Sequence, residues 1–116
     1  MTKQVALALD LALVVLFSII GVLSHSESLV SRLAPVVWPF LVACAVAWLI
    51  LLWRHRPVGT LAAGVFVWLC TALGGLGLRA AAGGGTQTAF IIVTLVVTGI
   101  FLVGWRLLLR KKLVGI

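Results

Sequence analysis

Four long apolar runs, each closed by a short polar break, organise this chain. They cover about residues 5–23, 33–53, 60–78 and 88–109. The breaks between them hold Ser24-His25-Ser26-Glu27-Ser28 up to Arg32, then Arg54-His55-Arg56-Pro57, then Arg79 up to Thr86. Each run is long enough to cross a bilayer as a helix, which takes about 20 apolar residues. None shows the alternation of a barrel strand. The pattern therefore predicts an all-α membrane protein, with four transmembrane helices in an up-down bundle forming a single integral membrane domain over residues 1–116. The first run follows Lys3 as a signal peptide would, but Asp10 interrupts it and it exceeds the usual core of about 7–15 residues. It is read as a retained span.

Composition agrees with the pattern. Hydrophobic residues make up 64% of the 116 positions, charged residues 9%, and the mean hydropathy is +1.33. A soluble domain is nearer half apolar and a quarter charged, so a water-soluble fold, a disordered tail and a disulfide scaffold are all excluded.

Charge adds direction. The net charge is +7. Lys3, Arg54, Arg56, Arg106, Arg110, Lys111 and Lys112 fall on one side of the expected bundle, and Arg32 and Arg79 on the other. The positive-inside rule then predicts an inner-membrane protein with both termini and the middle loop cytoplasmic. Arg110-Lys111-Lys112 is expected beside anionic headgroups. The lipid bilayer is the first expected partner, and nucleic acid is not one, because these charges flank helices and form no phosphate-reading surface. Trp53-Arg54 and Trp105-Arg106 repeat at two helix ends. An interfacial Trp followed by a snorkelling Arg accounts for that without a true repeat.

Candidate chemistry is sparse. Asp10 is the sole acid inside a run, about 10 Å along its helix from Lys3. A carboxylate at that depth must pair, face water or take up a proton. Arg106 lies at a similar depth, and first and last helices of a bundle are often neighbours. Two readings stand side by side: a structural ion pair, or a proton or cation site. In the third run Leu61, Gly64, Trp68, Ala72, Gly75 and Arg79 share one helical face. That face could line a cavity with Arg79 at its mouth, or it could be a packing face on which Trp68 fills space. In the fourth run Gln87, Thr94, Thr98 and Trp105 share a face that suits helix contact before pore lining. Trp38 fits an aromatic belt, beside Pro39. Trp38, Trp48, Gly64, Gly75, Thr94 and Thr98 are the candidate cavity or packing positions. His25 could titrate near neutral pH, but a lone His is not a metal site, and Glu27 has Arg32 or Arg79 as surface partners. Cys44 and Cys70 are read as small buried apolar residues. Gly75-Leu76-Gly77-Leu78-Arg79-Ala80 imitates a dinucleotide loop but neither follows a strand nor opens a helix. No metal site and no cofactor is expected, and no catalytic constellation is present, so the chain is not expected to be an enzyme.

Several short motifs resemble domain-of-unknown-function family 3054, small integral membrane proteins. They are Ala8-Leu9-Asp10-Leu11, Ser24-His25, Trp38-Pro39-Phe40 with Trp48, Trp68, Gly74-Gly75, Leu78-Arg79, Gly84-Gly85-Thr86, Phe90 and Gly104-Trp105-Arg106. The resemblance covers nearly the whole chain. It implies four spans and no activity, and it adds weight to Asp10, His25, Trp38, Trp68, Arg79 and Arg106. A looser likeness is to small multidrug resistance transporters, which share the length and a carboxylate in the first helix. The seven-to-two charge bias argues against their antiparallel dimer.

Two functions remain open from sequence. One is a small transport or permeation protein with a site built from Asp10, His25, Trp68, Arg79 and Arg106. The other is a non-catalytic accessory or assembly subunit of a larger membrane complex. Either would bury its polar stripes in a homo-oligomer or against a membrane-protein partner.

Overall fold

A computed structural model of the chain describes residues 2–23, 29–83 and 88–112, with side chains of 22–34 and 112 outside that description. His25, Glu27, Thr86 and Gln87, and the side chain of Arg32, therefore lie outside the described residues. The helices are α1 (Lys3–Leu23), α2 (Leu29–Trp53), α3 (Leu61–Ala81) and α4 (Thr88–Leu108), followed by a single 3-10 turn (Arg110–Lys112). All four helices are long and apolar enough to cross a membrane. Helices of 21 residues rise about 32 Å, close to the thickness of a hydrocarbon core.

The chain runs up and down. α2 packs most extensively on α3, α3 on α4 and α1 on α2, and a lighter α1–α4 contact closes the ring. The outer surface is apolar: Leu49, Leu73, Ile100 and Leu108 are each more than half exposed. Away from the helix ends, most polar side chains of the spans are inside. Asp10, Ser18, Thr71, Thr94, Thr98 and Arg106 are all buried. That arrangement, apolar outside and polar inside, suits lipid and not water, because an unpaired polar group in hydrocarbon costs several kcal/mol.

α2 begins at Leu29, about one turn earlier than the apolar pattern indicates, and Pro35 and Pro39 lie inside it, as they do inside the apolar run. Each proline removes one backbone donor, a loss that packed membrane helices tolerate. Pro39 is fully buried. Beside it Phe40 meets Phe17 edge-on at 5.3 Å and Phe90 at 6.2 Å. Gly75 of α3 makes that packing fit, since a Cβ there would stand 2.2 Å from the Phe40 ring.

The α2–α3 connection is tight. His55 N–H donates to the Leu52 carbonyl and Arg56 N–H to that of Leu51, with His55 at φ +53°. This is a Schellman end with a non-glycine residue at its left-handed position. Pro57 follows, and Thr60 then caps α3 by accepting from the Ala63 N–H at 3.0 Å. The turn folds Val58 inward until it is wholly buried.

Candidate charge clamp in the bundle core

Asp10 sits two turns into α1 on its inward face and is 0% exposed. Four donors converge on its two oxygens. Oδ1 accepts from Trp105 Nε1 at 2.7 Å and Arg106 Nη1 at 2.9 Å. Oδ2 accepts from Trp48 Nε1 at 2.7 Å and Arg106 Nη2 at 2.8 Å. The guanidinium and carboxylate thus meet fork to fork, the strongest geometry for such a pair. The indoles fill the remaining lone pairs. A carboxylate has about four acceptor positions, and all of them are taken.

Arg106 is held almost as completely, by four hydrogen bonds from its five N–H groups. It is 0% exposed. Its Nε donates to the Val58 carbonyl at 3.0 Å, and Nη1 also donates to the Leu102 carbonyl at 2.9 Å. Its guanidinium lies 4.7 Å from the centre of the Trp105 ring. The Val58 contact explains the inward fold of the α2–α3 turn, since the carbonyl it delivers satisfies the guanidinium. Space for the arginine stem comes from Gly64, where a Cβ would stand 2.8 Å from Arg106 Cδ. One site therefore ties together α1, α2, α4 and the turn before α3.

The other sequence candidates disperse. Trp68 donates its Nε1 to the Leu95 carbonyl at 2.9 Å and covers Gly99, where a Cβ would stand 2.9 Å from the indole. Arg79, toward the far end of α3, lies 5.0 Å from the centre of the Phe90 ring. Thr94 and Thr98 face the core, and the Thr98 hydroxyl donates to the Thr94 carbonyl of its own helix. Trp38 is exposed on the outer surface. Cys44 and Cys70 are free thiols. The structure brings Asp10, Trp48, Gly64 and Arg106 together, leaves Trp68 and Arg79 in separate surroundings, and places Gly75 with the Phe40 cluster.

Two partners of Asp10 carried no chemical role in the sequence. Trp48 was a packing candidate, and Trp105 was one of two similar Trp-Arg pairs. Those pairs prove unlike: Trp53 is 74% exposed beside exposed Arg54, whereas Trp105 and Arg106 are buried. The available signal was depth, since Trp48, Trp105 and Asp10 all lie within two to three turns of the same end.

A groove runs along the outer side of α3 and α4, about 560 Å³ in volume, lined by Val65, Trp68, Gly99, Ile100, Val103 and Gly104 among others. A Cβ at Gly104 would meet nothing within 4 Å.

Comparison with known proteins gives one result of substance. Neither the curated proteins nor the solved structures yield a match to this chain. A family profile matches residues 7–109, a stretch that includes every residue of the clamp. The chain is a multi-pass membrane protein and belongs to the family described as protein of unknown function, DUF3054.

Proposed function

We propose that the protein is a non-catalytic accessory or assembly subunit of a membrane complex, a rigid four-span module and not a carrier of ions or small solutes. The observation behind this reading is the closed clamp. A carboxylate that couples transport has to exchange partners during the cycle. Asp10 has all its acceptor positions filled by donors from α2 and α4, and is shut away from solvent. Exchanging them means taking the bundle apart. Of the other candidates for a transport site, Trp68 and Arg79 lie in separate surroundings, on the Leu95 carbonyl and the Phe90 ring. The α3–α4 groove adds support for assembly, because the bare backbone at Gly104 lets the membrane-spanning helix of another subunit come close.

The same reading places the protein in the cell membrane with both termini cytoplasmic, on the positive-inside rule. Reconstitution into liposomes tests the central claim. Proton and monovalent-cation flux into vesicles carrying wild-type protein should match that into empty vesicles. A flux that Asp10→Asn abolishes would overturn the proposal.

A further inference from the structure

Among the described residues, the bundle end that holds the α2–α3 turn carries positive charge with no acidic side chain free to offset it. The sequence has only two acids. Asp10 is fully engaged by Arg106 and two indoles, and Glu27 belongs to the connection that follows the opposite end of α1. Lys3, Arg54, Arg56, Arg110 and Lys111 all belong to the uncompensated end. That concentration of charge favours an anionic partner.

A pocket of about 380 Å³ opens at this end between α2 and α3. Arg54, Arg56 and Thr60 form its polar side, and Ile50, Leu51 and Phe66 its apolar side. The Schellman turn sets the two arginines on either side of left-handed His55, so both reach one concavity. The Thr60 oxygen accepts from the Ala63 N–H, which leaves its hydroxyl hydrogen to donate elsewhere. The first turn of α3 adds the positive end of a helix dipole. Cationic rim and apolar wall are continuous, and the pocket lies where a span meets the headgroups. We propose that it binds the phosphate of an anionic phospholipid, with an acyl chain lying against Ile50, Leu51 and Phe66. Free phosphate would use the arginines but leave the apolar wall empty.

Native mass spectrometry of the full chain in mild detergent tests this. The probes are phosphatidylglycerol, phosphatidylcholine with the same acyl chains, and inorganic phosphate. Phosphatidylglycerol should bind one per chain, and Arg54→Gln with Arg56→Gln should weaken it about thirtyfold, from the usual contribution of a basic residue near anionic lipid. Arg110→Gln with Lys111→Gln removes equal charge outside the pocket and should weaken it by less than about threefold. Either arginine substituted alone should weaken it about fivefold, which keeps the test available if the double variant fails to insert. Equal loss in the Arg110/Lys111 variant would mean diffuse attraction and would overturn the proposal. So would phosphatidylcholine binding as tightly, or inorganic phosphate binding as tightly as the lipid.

Discussion

Removing the charge of Asp10 without changing its shape isolates the clamp. Asp10→Asn leaves Arg106 charged, 0% exposed and without its counter-ion. Asn also turns an amide N–H₂ toward one of two donor pairs, either Trp48 Nε1 with Arg106 Nη2 or Trp105 Nε1 with Arg106 Nη1. Two donors then face a donor. Breaking a buried pair by removing one partner costs about 3–5 kcal/mol. That is a large share of a total stability of about 5–15 kcal/mol. Arg106→Met should cost a similar amount, because it leaves a buried carboxylate with two indoles only. The double variant removes both charges, and exchanging a buried pair for neutral groups is often close to neutral. Its cost should fall well short of the summed single costs, with a coupling of about 2–3 kcal/mol or more. The measurement is unfolding in mixed micelles of dodecyl maltoside and SDS, followed by tryptophan fluorescence, since Trp48 and Trp105 report from the site. An Asp10→Asn variant within about 1 kcal/mol of wild type would refute the reasoning, as would a strictly additive cycle.

Three further results follow from the geometry. Trp48→Phe and Trp105→Phe each delete one indole donor to the carboxylate and should each cost about 1.5–3 kcal/mol in the same unfolding assay. Gly64→Ala and Gly75→Ala force a methyl against Arg106 Cδ and the Phe40 ring and should destabilise by about 1–3 kcal/mol, whereas Gly77→Ala, with nothing within 4 Å, should stabilise by about 0.5–1 kcal/mol; thermal denaturation of the three purified variants ranks them. A green fluorescent protein fused to the C-terminus should fluoresce in cells, and a periplasmic reporter at the same place should be inactive, if the charge bias sets the orientation.

The spans were legible because each is a single long apolar run, a signal that needs no tertiary context. The early start of α2 was not, since Ser31 and Arg32 read as part of the polar break although the helix already includes them. Asp10 was legible as costly, and Arg106 as a partner at matching depth. The roles of Trp48 and Trp105 were hidden. A membrane Trp can sit in the interfacial belt, face lipid or turn inward, and which it does depends on how each helix is rotated about its axis. That rotation is set by all four helices at once. Gly64 and Gly75 were legible as close-approach positions, but what each makes room for, an arginine stem and a phenyl ring, appears only in three dimensions.

Arg106 shows how one residue type carries two kinds of information. By sequence it counts toward the positive end that fixes orientation, the last charge of a helix closed by Trp-Arg. In the fold it is an interior group, neutralised by Asp10, and it does not reach the headgroups. The bias that acts on topology is then Lys3, Arg54, Arg56, Arg110, Lys111 and Lys112 against Arg32 and Arg79, six to two. A bias of six to two still favours cytoplasmic termini under the positive-inside rule. It also disfavours an antiparallel pair, which needs nearly equal charge on both sides. What changes is the meaning of the remaining charge. With the one buried acid committed to Arg106, no acidic side chain among the described residues is free to pair with Lys3, Arg54, Arg56, Arg110 or Lys111, which favours an anionic membrane surface as their partner. The pocket formed by Arg54 and Arg56 is where that preference takes a defined shape.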